Sequence, residues 1–365
     1  MGVYITAIIF SMVSAYYAQN VKEIRQLKST YRFLCVMSFL PMTFVSVFRY
    51  QVGTDWPIYN DYFYWISEGT DRFTEPLFNL LNRVVYLFTR DSWWLFAVCA
   101  LIIGYFTFRT IFEQSIYPAF SILIFVITGD YFNSQNQIRQ AIAMAVFLYG
   151  VKYIKARDWK RYFFWILVAF LTHTSAAIYV PFYFLYGLEV KAGFLGTLYA
   201  GLIVTFPVVK RLLVLVVSKT KYGWYFQSLY NMNNFYVLGF LVTGFFLVLM
   251  LYYYYYGRKY GVKKADSEDA VEEDLEYNLM VYMYFFAALS VLFSSVIPQM
   301  VRITTALTYG TSLSIPRMVI REHRQNRRIV LYMLVVGVFV VKLLYDVYHN
   351  GWYDALPYQW VFHIL

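Results

Sequence analysis

Trp93-Trp94-Leu95-Phe96-Ala97-Val98-Cys99-Ala100-Leu101-Ile102-Ile103-Gly104-Tyr105-Phe106-Thr107-Phe108 runs from end to end without a charge. A helix rises about 1.5 Å per residue, and about 20 apolar residues cross a bilayer. Runs of this kind recur along nearly the whole chain of 365 residues, which is 60% hydrophobic and only 14% charged. Lipid offers the backbone no hydrogen-bond partner, so only helices and closed barrels cross it. The alternation of barrel strands is absent. The expected fold class is an all-α polytopic membrane protein, with residues 1–365 forming a single integral membrane domain. Gly2 to Tyr17 lacks a basic leader and a small-residue cleavage site, so it reads as a first span rather than a signal peptide.

The net charge of +10 does not point to nucleic acid, because the cations gather in short loops between apolar runs. Cys35 and Cys99 lie inside such runs and imply neither a disulfide framework nor a metal site. Four charged loops are assigned to the cytoplasm: 19–32, 152–158, 257–277 and 321–328. The chain must then cross an even number of times between any two of them.

Phe33 to Phe48, Trp93 to Phe108, Ile116 to Thr128 and Arg139 to Val151 satisfy that parity between the first two loops. Leu77 to Phe88, with Asn79, Asn82 and Arg83, would break it, and is expected as an interfacial or re-entrant helix on the outer face. Further on, Trp159 to Tyr186 restores parity as a helical hairpin turning at Thr172-His173-Thr174; the alternative keeps it whole and makes Val209 to Val217 re-entrant. External loops are then 49–92 and 210–234. The second leaves Lys210, Arg211, Lys219 and Lys221 outside, against the charge rule unless an anionic ligand sits there. Leu279 to Val296, Ile303 to Arg317 and Ile329 to Tyr345 complete about twelve spans, with both termini outside. The acidic run beginning at Asp266 reads as a solvated loop.

This topology sends several polar residues, far apart in sequence, to one membrane face. Arg49 closes a span and leads into Val52-Gly53-Thr54-Asp55-Trp56-Pro57 and Tyr59. Alone, Arg49 reads equally well as a snorkelling cation. Glu75-Pro76 is a good helix start, which suffices to explain Glu75, although its carboxylate also faces the same side. Asn136, Arg139 and Gln140 open an otherwise apolar helix, and charge beside hydrocarbon marks a site where something polar is handled. His173, among Thr172, Thr174 and Ser175, suits either a hydrogen bond to a neighbouring helix or a general base. Arg302 stands at an outer boundary after Pro298-Gln299-Met300. Arg317 falls near the opposite boundary and reads as an anchor. No phosphate-binding Walker loop, zinc spacing, paired-aspartate metal motif or Gly-x-Ser-x-Gly elbow is present, so no cofactor or metal is expected.

In order, Arg49 with Val52-Gly53-Thr54-Asp55 and Tyr59, Glu75-Pro76-Leu77-Phe78, Ile138-Arg139-Gln140-Ala141-Ile142-Ala143, His173-Thr174-Ser175-Ala176, Arg302 and Pro357-Tyr358 resemble the EpsG-like branch of the Wzy-type polysaccharide polymerases. Trp56 departs from the Tyr or Phe expected there, and Lys191 to Phe235 carries no matching pattern. The resemblance implies a GT-C-like membrane glycosyltransferase in the bacterial cytoplasmic (inner) membrane, working at its outer face on surface polysaccharide such as O-antigen or capsule. Its partners would be undecaprenyl-diphosphate-linked oligosaccharide and membrane lipid, with a chain-length regulator protein as a further candidate. Arg49, Arg139 and Arg302 would hold the diphosphate, with Gln140, Asn136 and Tyr59 beside them. His173, Asp55 or Glu75 would take the acceptor proton.

Rival readings are an O-antigen-type ligase, a transporter or flippase of lipid-linked sugars, and an acyltransferase with His173 as base. A transporter typically shows repeated halves, and no such repeat is evident.

Overall fold

The computed structural model describes residues 1–70, 75–220, 223, 236–260, 268–294, 296 and 300–363. Regular structure among them is helical, apart from an isolated antiparallel bridge between Arg49 and Trp360. Among the described residues seven helices are long and apolar enough to cross a membrane: Gly2–Val21, Arg25–Val47, Trp93–Gln114, Ala192–Val217, Val237–Gly257, Asp274–Phe293 and Gln325–His349. The protein is an all-helical, multi-pass membrane protein. It divides into two compact units, Met1–Tyr183 with Phe339–Leu365, and Phe184–Val338.

In the first unit the chain runs back and forth between two ends. Helix α1 is Gly2–Val21, α2 Lys28–Val47, α3 Trp56–Ser67, α4 Pro76–Phe88 and α5 Trp93–Gln114. They are followed by α6 (Pro118–Ile127), α7 (Asp130–Asn136), α8 (Ile138–Lys155) and α9 (Trp159–Thr172). The start of α5 meets the end of α2, where the Trp93 indole N–H donates to the Val47 carbonyl at 3.1 Å. The start of α1 reaches the same end, with the Tyr4 hydroxyl donating to Ala355 O. At the far end α5 and α8 finish together: Gln114 donates to Leu148 O at 3.1 Å, and Lys152 pairs with Glu113 at 2.7 Å.

The run expected as one span over Ile116 to Thr128 holds a helix of only 10 residues. Proline at its first position sets where it begins, and the left-handed Gly129 (φ +95°) ends it. At about 1.5 Å per residue it covers half a bilayer. A Cβ at Gly129 would run into the Tyr353 hydroxyl, so only glycine turns the chain here. The buried α7 then carries it on to α8.

The hairpin expected at Thr172-His173-Thr174 is present. α9 stops at Thr172, His173 is extended (φ −156°, ψ 121°), and a 3-10 turn follows over Thr174–Tyr179. The return leg lies along α9: the Tyr162 hydroxyl donates to Tyr179 O at 2.6 Å, and the Tyr183 hydroxyl reaches Arg157 O at 3.0 Å. The segment expected around Leu77 to Phe88 is also helical, as α4. It turns Phe78, Asn79, Asn82 and Val85 inward and leaves Leu87 and Phe88 exposed.

In the second unit α11 (Ala192–Val217), α12 (Val237–Tyr260) and α13 (Glu268–Phe293) follow the short α10 (Phe182–Leu185), which straddles the division. Lys210 and Arg211, expected in an external loop, belong to α11, which continues to Val217. Most of the 210–234 loop, Lys221 with it, lies outside the described residues, as do Asp266, Pro298 and Gln299. The expected span Ile303 to Arg317 is two helices, α14 (Met300–Thr308) and α15 (Thr311–Ile320), separated at Tyr309 and Gly310. α16 is Gln325–Leu344.

The solvated loop expected from Asp266 needs correcting where it is described. Glu276 is buried within α13 and ion-paired with buried Arg317, and Asp274 pairs with Arg321. Arg317 is therefore a paired buried cation and not a boundary anchor. Each partner offsets the desolvation of the other, so neither tolerates removal alone.

Candidate functional site

The turn after α2 is built from the outside inward. Arg49 is 2% exposed. Its guanidinium donates to Gln135 O at 2.9 Å and lies 5.8 Å from the Trp56 ring and 5.9 Å from that of Phe96. Burial pulls its pKa down to about 10, with Tyr4 and Tyr131 opposing, so it stays charged at neutral pH. The small cavity beside it, about 20 Å³, has room for one water.

Gly53 has φ +114°, and a Cβ there would stand 2.7 Å from Asn136 Oδ1. The Asn136 amide is committed to structure on both sides: it accepts from the Thr54 hydroxyl at 3.2 Å and donates to Tyr353 O at 3.0 Å. A C-terminal strap completes the turn. Tyr50 N–H donates to Gln359 O, Gly53 N–H to Asp354 O and Val361 N–H to Phe48 O, each within 3.0 Å. Arg49 and Asn136 are thus packed into scaffold.

Arg139 sits differently. Half-buried at the first turn of α8, it pairs through Nη1 with Glu75 Oε2 at 2.7 Å. Its guanidinium carbon lies 5.5 Å from the Tyr62 ring, 5.7 Å from Phe78 and 6.0 Å from Tyr59, an aromatic box from α3 and α4. Its Nε is buried without a hydrogen-bond partner, as is that of Arg49. The other Glu75 oxygen accepts the backbone N–H of Thr174 at 3.1 Å. Glu75 therefore bridges α8 to the turn of the hairpin.

At that turn His173 Nδ1 accepts from Ser175 N–H at 3.3 Å and lies 2.7 Å from the Ser175 hydroxyl. With Nδ1 accepting from the backbone, the neutral ring carries its proton on Nε2, an assignment made from the hydrogen bond. Burial pushes the Tyr59 phenol above its usual pKa; Arg139 opposes this and half-buried Asp55 adds to it.

Thus Glu75, Arg139, His173, Tyr59 and Asp55 come to one end of the first unit. Gln140 is buried beside them on α8, and Arg302 belongs to α14 of the second unit. Sequence reasoning did not place the Thr174 backbone against Glu75 or the Tyr62 ring against Arg139. It also missed a buried group where the Lys342–Asp346 pair (2.7 Å) lies close enough to Asp130 for Lys342 to act on its charge. The signal was present: Asp130 and Asp346 are acids inside apolar surroundings, a pattern that asks for a partner.

The sequence model of the EpsG family matches residues 32–360 of this chain. No curated protein and no solved structure matches it. The match takes in every residue of the cluster, and the chain belongs to the EpsG family, the glycosyltransferase-like membrane polymerases of polysaccharide synthesis.

Proposed function

We propose that the protein joins undecaprenyl-diphosphate-linked oligosaccharide repeat units, and that the Arg139–Glu75–Thr174 bridge is its reaction centre. The observation that carries this is the convergence of three distant segments on one half-buried ion pair inside an aromatic box. In this reading the cluster faces outward from the bacterial cytoplasmic membrane, within a GT-C-like arrangement of about twelve spans. α4 then lies at the interface, its apolar side toward lipid.

The reaction is a displacement. An acceptor hydroxyl oxygen bonds to the donor's anomeric carbon, whose bond to the diphosphate oxygen breaks. The leaving polyprenyl diphosphate keeps that electron pair. The hydroxyl proton passes to Glu75, which then no longer neutralises Arg139. The guanidinium charge becomes available to the diphosphate as negative charge develops there. This gives Glu75 the role of base in preference to His173, whose Nδ1 lone pair already serves Ser175. His173 donates from Nε2 to a substrate oxygen. Asp55 orients Tyr59, Gln140 backs Arg139, and Arg49 and Asn136 hold the frame. Arg302, on α14 of the second unit, is a further candidate for diphosphate binding, and a chain-length regulator is a partner to seek.

Purified protein given the lipid-linked repeat, without nucleotide or metal, should yield a ladder of longer lipid-linked glycans. A transporter would move the repeat and yield no ladder.

A further inference from the structure

On the face of α3 opposite Arg139 lies a second concavity. Tyr59 and Tyr62 point to Arg139, whereas Trp56, Asn60, Asp61 and Tyr64 line an open cleft of about 590 Å³ closed by Asp91 and Asp354. That volume is within the range of ligand pockets, about 300–1,000 Å³. Its floor is fixed: Trp56 stacks on Phe96 at 3.6 Å and 5°, with the Tyr50 ring 5.6 Å away. Its polar wall is fixed too, by the Ser92 hydroxyl donating to Asn60 Oδ1 at 2.6 Å and Tyr64 OH donating to Arg90 O at 3.2 Å. Among the described residues no lysine or arginine lines it, while three carboxylates do. Among the described residues no acidic group is arranged to hold a metal ion.

We propose that this cleft is a glycan handhold that keeps hold of the chain already made, and that it takes uncharged or amine-bearing sugars and not anionic ones. Aromatic faces receive the apolar face of a sugar ring. Carboxylates accept its hydroxyl protons in strong, charge-assisted hydrogen bonds. The same carboxylates repel uronates and sulfates. With the reaction centre on one side of α3 and the cleft on the other, a product passing the rim of α3 stays attached while the next repeat arrives. The inference rests on the polymerase reading given above.

The test uses the full-length protein with the Asp61→Ala/Asp354→Gly variant. Asp61 is exposed, and Asp354 has φ +43°, which glycine adopts without strain. The probe is the free oligosaccharide released by mild acid from the host's own lipid-linked repeat, with binding measured by calorimetry. Wild type and Gly201→Ala, a position with open space around it, should bind it alike. The double variant should bind about tenfold more weakly or worse, the worth of one or two charge-assisted hydrogen bonds. In the ladder assay that variant should still join a first pair of repeats but lose the long products. Unchanged binding and unchanged ladder length in the variant would overturn the handhold, as would wild type preferring a uronate oligosaccharide of equal length. Intact glycan binding with no ladder from wild type would instead sink the polymerase reading.

Discussion

At Glu75 a single carboxylate spans two partners that belong to different helices, Arg139 and the backbone of Thr174. Its loss of charge and the release of Arg139 are one event. Glu75→Gln keeps the shape and an acceptor but cannot take a proton. It should still bind undecaprenyl diphosphate at least as tightly as wild type, while joining falls about 10²–10⁴-fold, the usual worth of a general base. His173→Asn should cost less, since an amide can still accept from Ser175 N–H and donate outward. Rates measured on both variants decide the base, and the reverse order would return that role to His173.

Asp130 gives a second handle at this scale. It sits between α6 and α8, accepts from the Thr128 hydroxyl at 2.8 Å, and faces Lys342, Asp346 and Tyr353. Burial raises its pKa to about 7, with Thr128 and Lys342 opposing. The folded value is above the unfolded one, so the native state holds this proton to higher pH. Stability is full below the unfolded value and is lost as pH rises through about 7. Melting temperatures of detergent-solubilised protein should therefore fall between pH 5 and 8, and Asp130→Asn should remove that part of the slope.

Elements fix the site by how they end. α2 ends where Arg49 turns inward, α6 ends at left-handed Gly129, and α9 ends at an extended His173. The turn of Gly53 is pinned between Asn136 and the C-terminal strap, so the backbone has no slack there. Gly53→Ala should destabilise the protein by about 1–3 kcal/mol, through a strained φ and displacement of Asn136. Joining should fall with it, although Gly53 lies outside the Arg139–Glu75–Thr174 bridge; a thermal-shift series beside the ladder assay checks both. Gly201→Ala is the control, with open space around it.

Across the whole molecule, what could be read from sequence was whatever depends on local pattern. Long apolar runs such as Trp93 to Phe108 became helices. The polar cluster at Thr172–Ser175 betrayed the hairpin, since four such residues cannot continue an apolar helix unmarked. Glu75, Arg139 and His173 stood out because charge or imidazole beside lipid is costly. Long-range pairing was not readable. Nothing local says that Tyr50 will bond to Gln359, that Asn136 will be consumed by Thr54 and Tyr353, or that Glu276 in an acidic run will face Arg317. Arg49 and Arg139 look alike in sequence, and only packing separates the cation that donates to the Gln135 backbone from the one that pairs with Glu75.

The most direct measurement is a single-turnover joining rate from purified protein in liposomes carrying the lipid-linked repeat, for wild type and Arg139→Ala. A guanidinium that stabilises the departing diphosphate is worth about 10²–10³-fold, so the variant should insert and fold normally yet leave single repeats on their carrier. A near-wild-type rate from Arg139→Ala would contradict the assignment of this ion pair as the reaction centre.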